Sequence, residues 1–429
     1  MLKLNKYSAF ASVILSLALV SQAQAETTIR MWSFLDPAKD SPRERVLRQL
    51  ISEFEQNNPD VKIEVEPQVW SQIANKFTIA ASTGNAPDIA WINYPSLVLP
   101  FSANAAADLS EVAFGDWTQS DWDDFVTFAP FDAVTVDGKI LAAPIMLLSN
   151  TILYRKDLFE AAGVVPNDLS TWDGLLKSGK ALTKQTDGST TWGLGFPLSR
   201  DGASQSLVVV GLADLQESLF DDKCVPTVNT AAGEQALAMA ADFIKEGVTS
   251  PEAVAQTSDD SQEVFIGGQQ AITIGGTSRV NRIREKAVFD KNQLGVLSWP
   301  SWTGEKPGPY ILDGWTAVVW SGSDHKDEAG AFVAFMTGEE AATKWTLEGG
   351  QVPFRKSVLA LPQLATPDAS WMQDVADGWG ANAQFLPPTC NIGAFYSDMN
   401  LAVQKVIQGS ATPSEALKAV EEEGAERAR

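Results

Sequence analysis

The chain has 429 residues, with 32 Lys and Arg against 54 Asp and Glu and a net charge of −22. That acidity disfavours nucleic acid and anionic lipid as partners. One His and two Cys cannot assemble a Cys/His zinc site, and the length exceeds one core of ordinary size, so two lobes are expected.

Lys3 and Lys6 form a basic n-region, Ala9 to Val20 is apolar, and Ala23-Gln24-Ala25 is a small-x-small cleavage site. The apolar run falls short of the ~20 residues that span a bilayer, and no Cys follows it to take a lipid. The expectation is a signal peptide over residues 1–25, cleaved after Ala25. A soluble mature chain of about 404 residues and charge −24 would remain, in a Gram-negative periplasm.

The mature part opens with a strand-like run, Thr28 to Trp32. Ser41, Pro42 and Glu44 mark a capped helix start, and Val46, Leu47, Leu50, Ile51 and Phe54 lie on one helical face. Asn57-Asn58-Pro59 stops it; Val61, Ile63 and Val65 then alternate with charged residues as in a strand. A helix carrying Ile73, Phe77 and Ala81 ends at Gly84-Asn85, and Asp88 to Ile92 reads as a buried strand. This β-α-β-α-β order opens a parallel sheet.

The alternation returns downstream. Tyr154 to Gly163 reads as a short helix, Ser170 or Thr171 caps another through Leu182, and Trp192 to Phe196 is strand-like. Gly233 to Gly247 is helical, Ala271 to Ile274 a strand, Leu401 to Ile407 a helix, and Thr412-Pro413-Ser414-Glu415 caps the last helix. The fold class is α/β with two sheets. Export favours a bridge between Cys224 and Cys390 over two buried thiols.

Several segments belong together: Phe54 to Pro59, Gly84 to Ile89, Tyr154 to Phe159 with Ala162-Gly163, and Thr171 to Leu175. Phe265 to Ile272, Gly314-Trp315, Lys326 to Ala329 with Phe332, Phe335 and Met336, Gly350 to Ser357, and Thr412 to Leu417 complete the set. In this order, across the whole mature chain, they make it resemble the extracellular solute-binding proteins of the maltose-binding type, family 1 of carbohydrate ABC importers. The resemblance implies the two-lobed periplasmic-binding-protein fold: each lobe a mainly parallel sheet flanked by helices, crossing strands between them, and a ligand cleft that closes by hinge motion. Lobe one is placed at 26–136 and 300–352, lobe two at 137–299 and 353–429. It further implies a monomer that hands a sugar or oligosaccharide to transmembrane permease subunits, with no cofactor and no catalysis.

A sugar ring wants an aromatic face beneath it and planar polar groups around its rim. Trp32 and Phe34 after the first strand, Trp70 after the second, and Asn93 and Tyr94 after the third stand at strand ends, where open α/β sheets bind ligands. Ser149 and Asn150 precede the Tyr154 motif, and Gly276 and Thr277 follow a strand. The family often has Trp where Thr277 stands, which weakens stacking there. Trp315 in the Gly-Trp segment and Arg355 after Gly-x-x-Pro match family positions that face the cleft. Trp299, Trp302 and Trp379 are weaker candidates.

Two other readings remain open. No Gly-x-Ser-x-Gly elbow, Walker loop or Gly-x-Gly-x-x-Gly is present, yet 54 carboxylates leave a glycoside-acting enzyme possible. A phosphorylated polyol such as glycerol 3-phosphate calls for a cationic cleft, for which the candidates above supply only Arg355.

Overall fold

Residues 26–186, 188–200, 207–216 and 218–428 are described by a computed structural model. The leader segment and its cleavage site lie outside them. The strands are β1 (Thr27–Ser33), β2 (Val61–Pro67), β3 (Ile89–Asn93), β4 (Thr135–Val136), β5 (Lys139–Ile140) and β6 (Ala143–Arg155). After them come β7 (Lys184–Thr186), β8 (Ser189–Gly195), β9 (Gln270–Gly276), β10 (Leu294–Leu297), β11 (Tyr310–Val319) and β12 (Ala383–Gln384).

The alternating Val61–Val65 segment becomes an edge strand, as one polar face requires. It pairs in parallel with β1, and β1 pairs in parallel with β3. The intervening helix Pro42–Asn57 buries Val46, Leu47, Leu50 and Phe54, and the Glu44 carboxylate accepts from the Ser41 N–H at 3.0 Å. Capping chemistry also places the helices Trp172–Leu182, where Thr171 Oγ1 accepts from Gly174 N–H, and Pro413–Arg427.

The sheet order is β2-β1-β3-β11-β6-β9-β8-β7, and two long antiparallel strands decide its shape. From Ala143 to Ser149, β6 pairs with β11 in the first lobe; from Asn150 to Arg155 it pairs with β9 and β10 in the second. The crossing therefore falls at Ser149–Asn150, later than the 136/137 boundary drawn from sequence. Likewise, residues beyond 352 still belong with the first lobe: Val126 N–H donates to Phe354 O at 2.9 Å and Lys356 N–H to Asp124 O at 2.6 Å. Nor does the helix after the crossing begin at Tyr154. Tyr154 pairs with Ile272 and Gly295, and Arg155 with Leu294, so ladder bonds hold both extended and the helix runs Lys156–Ala162.

Cys224 and Cys390 are joined in a disulfide between positions 166 residues apart, with Cα atoms 5.1 Å from each other. Cross-linking so long a loop removes denatured-state entropy worth up to about 5 kcal/mol, and ~2–4 kcal/mol is typical. Cys224→Ser should therefore lower the melting temperature, and reduction should bring the parent protein to the same value. A parent whose melting is indifferent to reductant would contradict this.

Candidate functional site

The two expected sheets are joined through β6 into one, and β1, β3 and β9 all end near the point where β6 passes from β11 to β9, where a cleft of about 500 Å³ opens. The carboxyl ends of parallel strands bring their following residues to such a gap. Phe34, Trp70, Asn93 and Trp315 line it from the first lobe, with Ser41, Pro42 and Arg43 at the start of the helix Pro42–Asn57. Asn150, Gly276, Gln262, Arg279, Asn281 and Arg282 line it from the second. Six of the sequence candidates thus meet in one place: Phe34, Trp70, Asn93, Asn150, Gly276 and Trp315.

The aromatic wall is layered. Phe34 stacks on Trp315 with ring centroids 3.9 Å apart and planes 26° off parallel. Trp315 is consequently only 8% exposed, a brace beneath Phe34 as much as a surface of its own. Trp70 is half-buried, packs against the core on one side and lines the cavity, with no ring partner among the described residues. Gly314, beside Trp315, has φ +148°, and a Cβ there would lie 2.1 Å from Met146 O. The register between β6 and β11 shifts at Trp315/Thr316, and only glycine fits this close approach.

The remaining candidates stand elsewhere. Trp32 lies within β1 opposite Glu66 and donates its indole N–H to that carboxylate at 2.8 Å. Tyr94 is buried and donates its hydroxyl to Leu386 O at 3.0 Å. Ser149 is buried and accepts the Trp379 indole N–H at 3.0 Å. Thr277 is buried one step beyond the cleft-lining Gly276. Arg355, 3% exposed, spends its guanidinium on Thr337 O at 3.0 and 3.1 Å and on the Asp124 carboxylate at 3.0 Å, over the Phe125 ring. It fastens first-lobe segments together and does not reach the cleft. Trp299 and Trp302 likewise satisfy their indole N–H on Asn150 O and Gly211 O.

Charge is what the sequence left unread. Asp313, Arg43, Asp259, Arg279, Arg282, Glu285 and Lys286 all line the cleft. Asp313 lies next to Gly314-Trp315, which was a hint; Arg43 is the second residue of a surface-type helix and carried none. Desolvation pushes the Asp313 carboxyl up to about 7, opposed by a 2.6 Å bond from Gly314 N–H. Its charge in turn raises Tyr94 and Tyr396, after their own burial.

That shift carries a stability consequence. An unfolded Asp titrates near ~3.9, so between about 4 and 7 the folded state holds a proton that the unfolded state has lost. Through this group stability falls as pH rises across that window. Asp313→Asn should therefore melt several degrees above the parent at pH 8 in the ligand-free protein. The gap should close by pH 4; a gap of equal size at both pH values would refute the burial argument.

The lobes meet over the cleft. Gly350 of the first lobe has φ +70°, and a Cβ there would lie 1.9 Å from the Asn281 amide nitrogen of the second. Asn281 can therefore seat against bare backbone, a contact of the two lobes that a side chain at 350 would block. Among the described residues no cluster of three His, Cys, Asp or Glu is placed to hold a metal, and no helix is long and apolar enough to cross a membrane.

Comparison with known proteins agrees with this architecture. The curated sn-glycerol-3-phosphate-binding periplasmic protein UgpB of Escherichia coli O1:K1 / APEC is 25% identical over 436 residues, covering 98% of this chain and 96% of the relative. Maltose-bound MalE3 of T. maritima superposes with a TM-score of 0.78 at 21% identity, over 93% of this chain and 99% of that one. A solute-binding protein of Thermotoga lettingae TMO bound with alpha-D-tagatose gives a TM-score of 0.79 at 21% identity, over 94% and 100%. At such identities the structures share the fold alone. The family model for bacterial extracellular solute-binding proteins matches residues 49–403, and the chain belongs to that family.

Proposed function

We propose that the chain is the solute-binding component of an ABC importer and that its solute is a sugar or another small polyol. The observation that carries this reading is the cleft itself. Trp70 and the Phe34–Trp315 stack line the same cavity as the amides of Asn93 and Asn150 and the carboxyl of Asp313. Aromatic faces suit the C–H side of a polyol, while amides and a carboxylate accept and donate to its hydroxyls. Relatives of known structure carry maltose and alpha-D-tagatose.

A solute touching both lobes binds the closed state better than the open one, so binding shifts the population towards closure. A permease can then read the closed outline. The protein works as a monomer and returns its solute unchanged, unlike a glycoside-acting enzyme.

The test is a thermal-shift screen against mono- to tetrasaccharides, alditols and their phosphates, since binding to the native state raises the melting temperature. Chromatography of the incubated solute follows. Stabilisation with intact solute supports the reading; released product would replace it with hydrolysis.

Export to the periplasm is part of this reading, and mass spectrometry of the exported protein should give a mature N-terminus at Glu26. Retention of Met1 in a membrane fraction would overturn that placement.

A further inference from the structure

Cations from opposite lobes face each other across the cleft. Arg43, from the first lobe, is half-buried and makes neither a hydrogen bond nor an ion pair among the described residues; its guanidinium lies 5.4 Å from the Phe34 ring centroid. Arg279 and Arg282, from the second lobe, line the same cavity. Arg279 is held on one nitrogen by Asp259 at 2.5 Å and by Gln262, and Arg282 is held on one nitrogen by Glu263. Each keeps its other guanidinium N–H groups for a further acceptor. Gln262 is 4% exposed, lines the cavity, and has its Nε2 donor unpartnered. Unpartnered donors therefore gather around Arg43, Arg279, Arg282 and Gln262, with Asp259 and Glu263 holding the two second-lobe arginines and Asp313 among the cleft-lining residues of β11.

We propose that this cluster is an oxyanion subsite in which a phosphate or carboxylate of the polyol bridges Arg43 of the first lobe to Arg279 and Arg282 of the second. The inference rests on the polyol reading above and narrows it to acidic polyols. Asp259 and Glu263 offset the charge of Arg279 and Arg282 but leave their remaining N–H groups open, and an oxyanion between the lobes would give those groups and Arg43 charge-assisted hydrogen bonds. The Arg43 guanidinium is already pushed down to about 10, by desolvation first and then by Arg279, opposed by the neighbouring Glu44 carboxylate, with Arg282 adding a smaller push downward. The helix Pro42–Asn57 begins at this spot, and its N-terminal partial positive charge acts in the same direction. A neutral sugar fits the aromatic wall but leaves the arginines facing one another.

The test pairs glycerol 3-phosphate with glycerol, glucose 6-phosphate with glucose, and galacturonate with galactose. Affinity is read by calorimetry and closure by the radius of gyration in small-angle scattering. The acidic member of at least one pair should bind and close the lobes, with the neutral member weaker by about ten-fold or more, the scale of a charge-assisted bond. The phosphate and galacturonate arms distinguish the two kinds of oxyanion. Arg43→Gln should erase most of that preference while leaving the ligand-free melting temperature unchanged. Neutral members that bind and close the lobes as well as their acidic partners would overturn the subsite but leave the polyol reading intact. A preference untouched by Arg43→Gln would also overturn it. No binding by any of the six would overturn the subsite, and the wider thermal-shift screen then decides the polyol reading separately.

Discussion

Trp315→Ala should lower stability and solute affinity together, whereas Trp70→Ala should lower affinity almost alone. Trp315 is 8% exposed and carries Phe34 on its face at 3.9 Å, so its removal leaves a cavity beneath a cleft residue. Truncating a buried Trp costs about 3–5 kcal/mol of stability. Phe34 then loses its support, and the platform it offers to a polyol becomes mobile. Aromatic anchors at binding sites commonly cost ~2 kcal/mol or more on truncation, roughly 30-fold in affinity. Trp70 is only half-buried and has no ring partner among the described residues, so its deletion should lower the ligand-free melting temperature far less than that of Trp315 does. Differential scanning calorimetry and titration calorimetry on both variants separate the two roles. Undiminished affinity in folded Trp315→Ala would show that the Phe34–Trp315 stack belongs to the core alone.

Gly314→Ala should be among the most destabilising single substitutions in the chain, at about 4 kcal/mol or more. At φ +148° an alanine is strained, and its methyl would lie 2.1 Å from Met146 O and 3.1 Å from Leu147 Cα. Those atoms are backbone of β6, which pairs with β11 on one edge and runs on into the second lobe, so they have little room to withdraw. Forcing the strands apart would disturb Asp313 and Trp315 at once, since both flank the glycine in the cleft. A denaturant titration of the variant gives the stability directly. A midpoint equal to that of the parent would mean the β6–β11 contact relaxes at no cost.

Local signals carried a large part of the fold. The capped helix starts at Ser41, Thr171 and Thr412 stand where the residues placed them, because a cap is settled within four residues of chain. The parallel β1, β2 and β3 followed from alternation and crossover logic. By contrast β6 and β11 carried no readable period: both are buried along nearly their whole length, and a continuous apolar run gives neither the two-residue nor the 3.6-residue rhythm. Tyr154 was misplaced for the same reason, its helical neighbours outweighing a ladder partner more than 100 residues away.

The two-lobed solute-binding class came from the family resemblance; what the residues by themselves determined, then, were the elements whose ends are chemically marked, with aromatic and amide side chains at the strand ends. That follows because caps, alternation and strand-end positions are local properties. The membership of the site was decided only by the tertiary structure. Asp313 lines the cleft because β11 pairs with both β3 and β6, and Arg43 meets Arg279 and Arg282 because two lobes fold against each other. Arg355, which looked suited to a solute, is taken by Asp124 and Thr337 O, partners on two other stretches of the first lobe. A charge near a cleft is a functional group or a structural tie according to whether some distant residue has already satisfied it, and chain order does not record that.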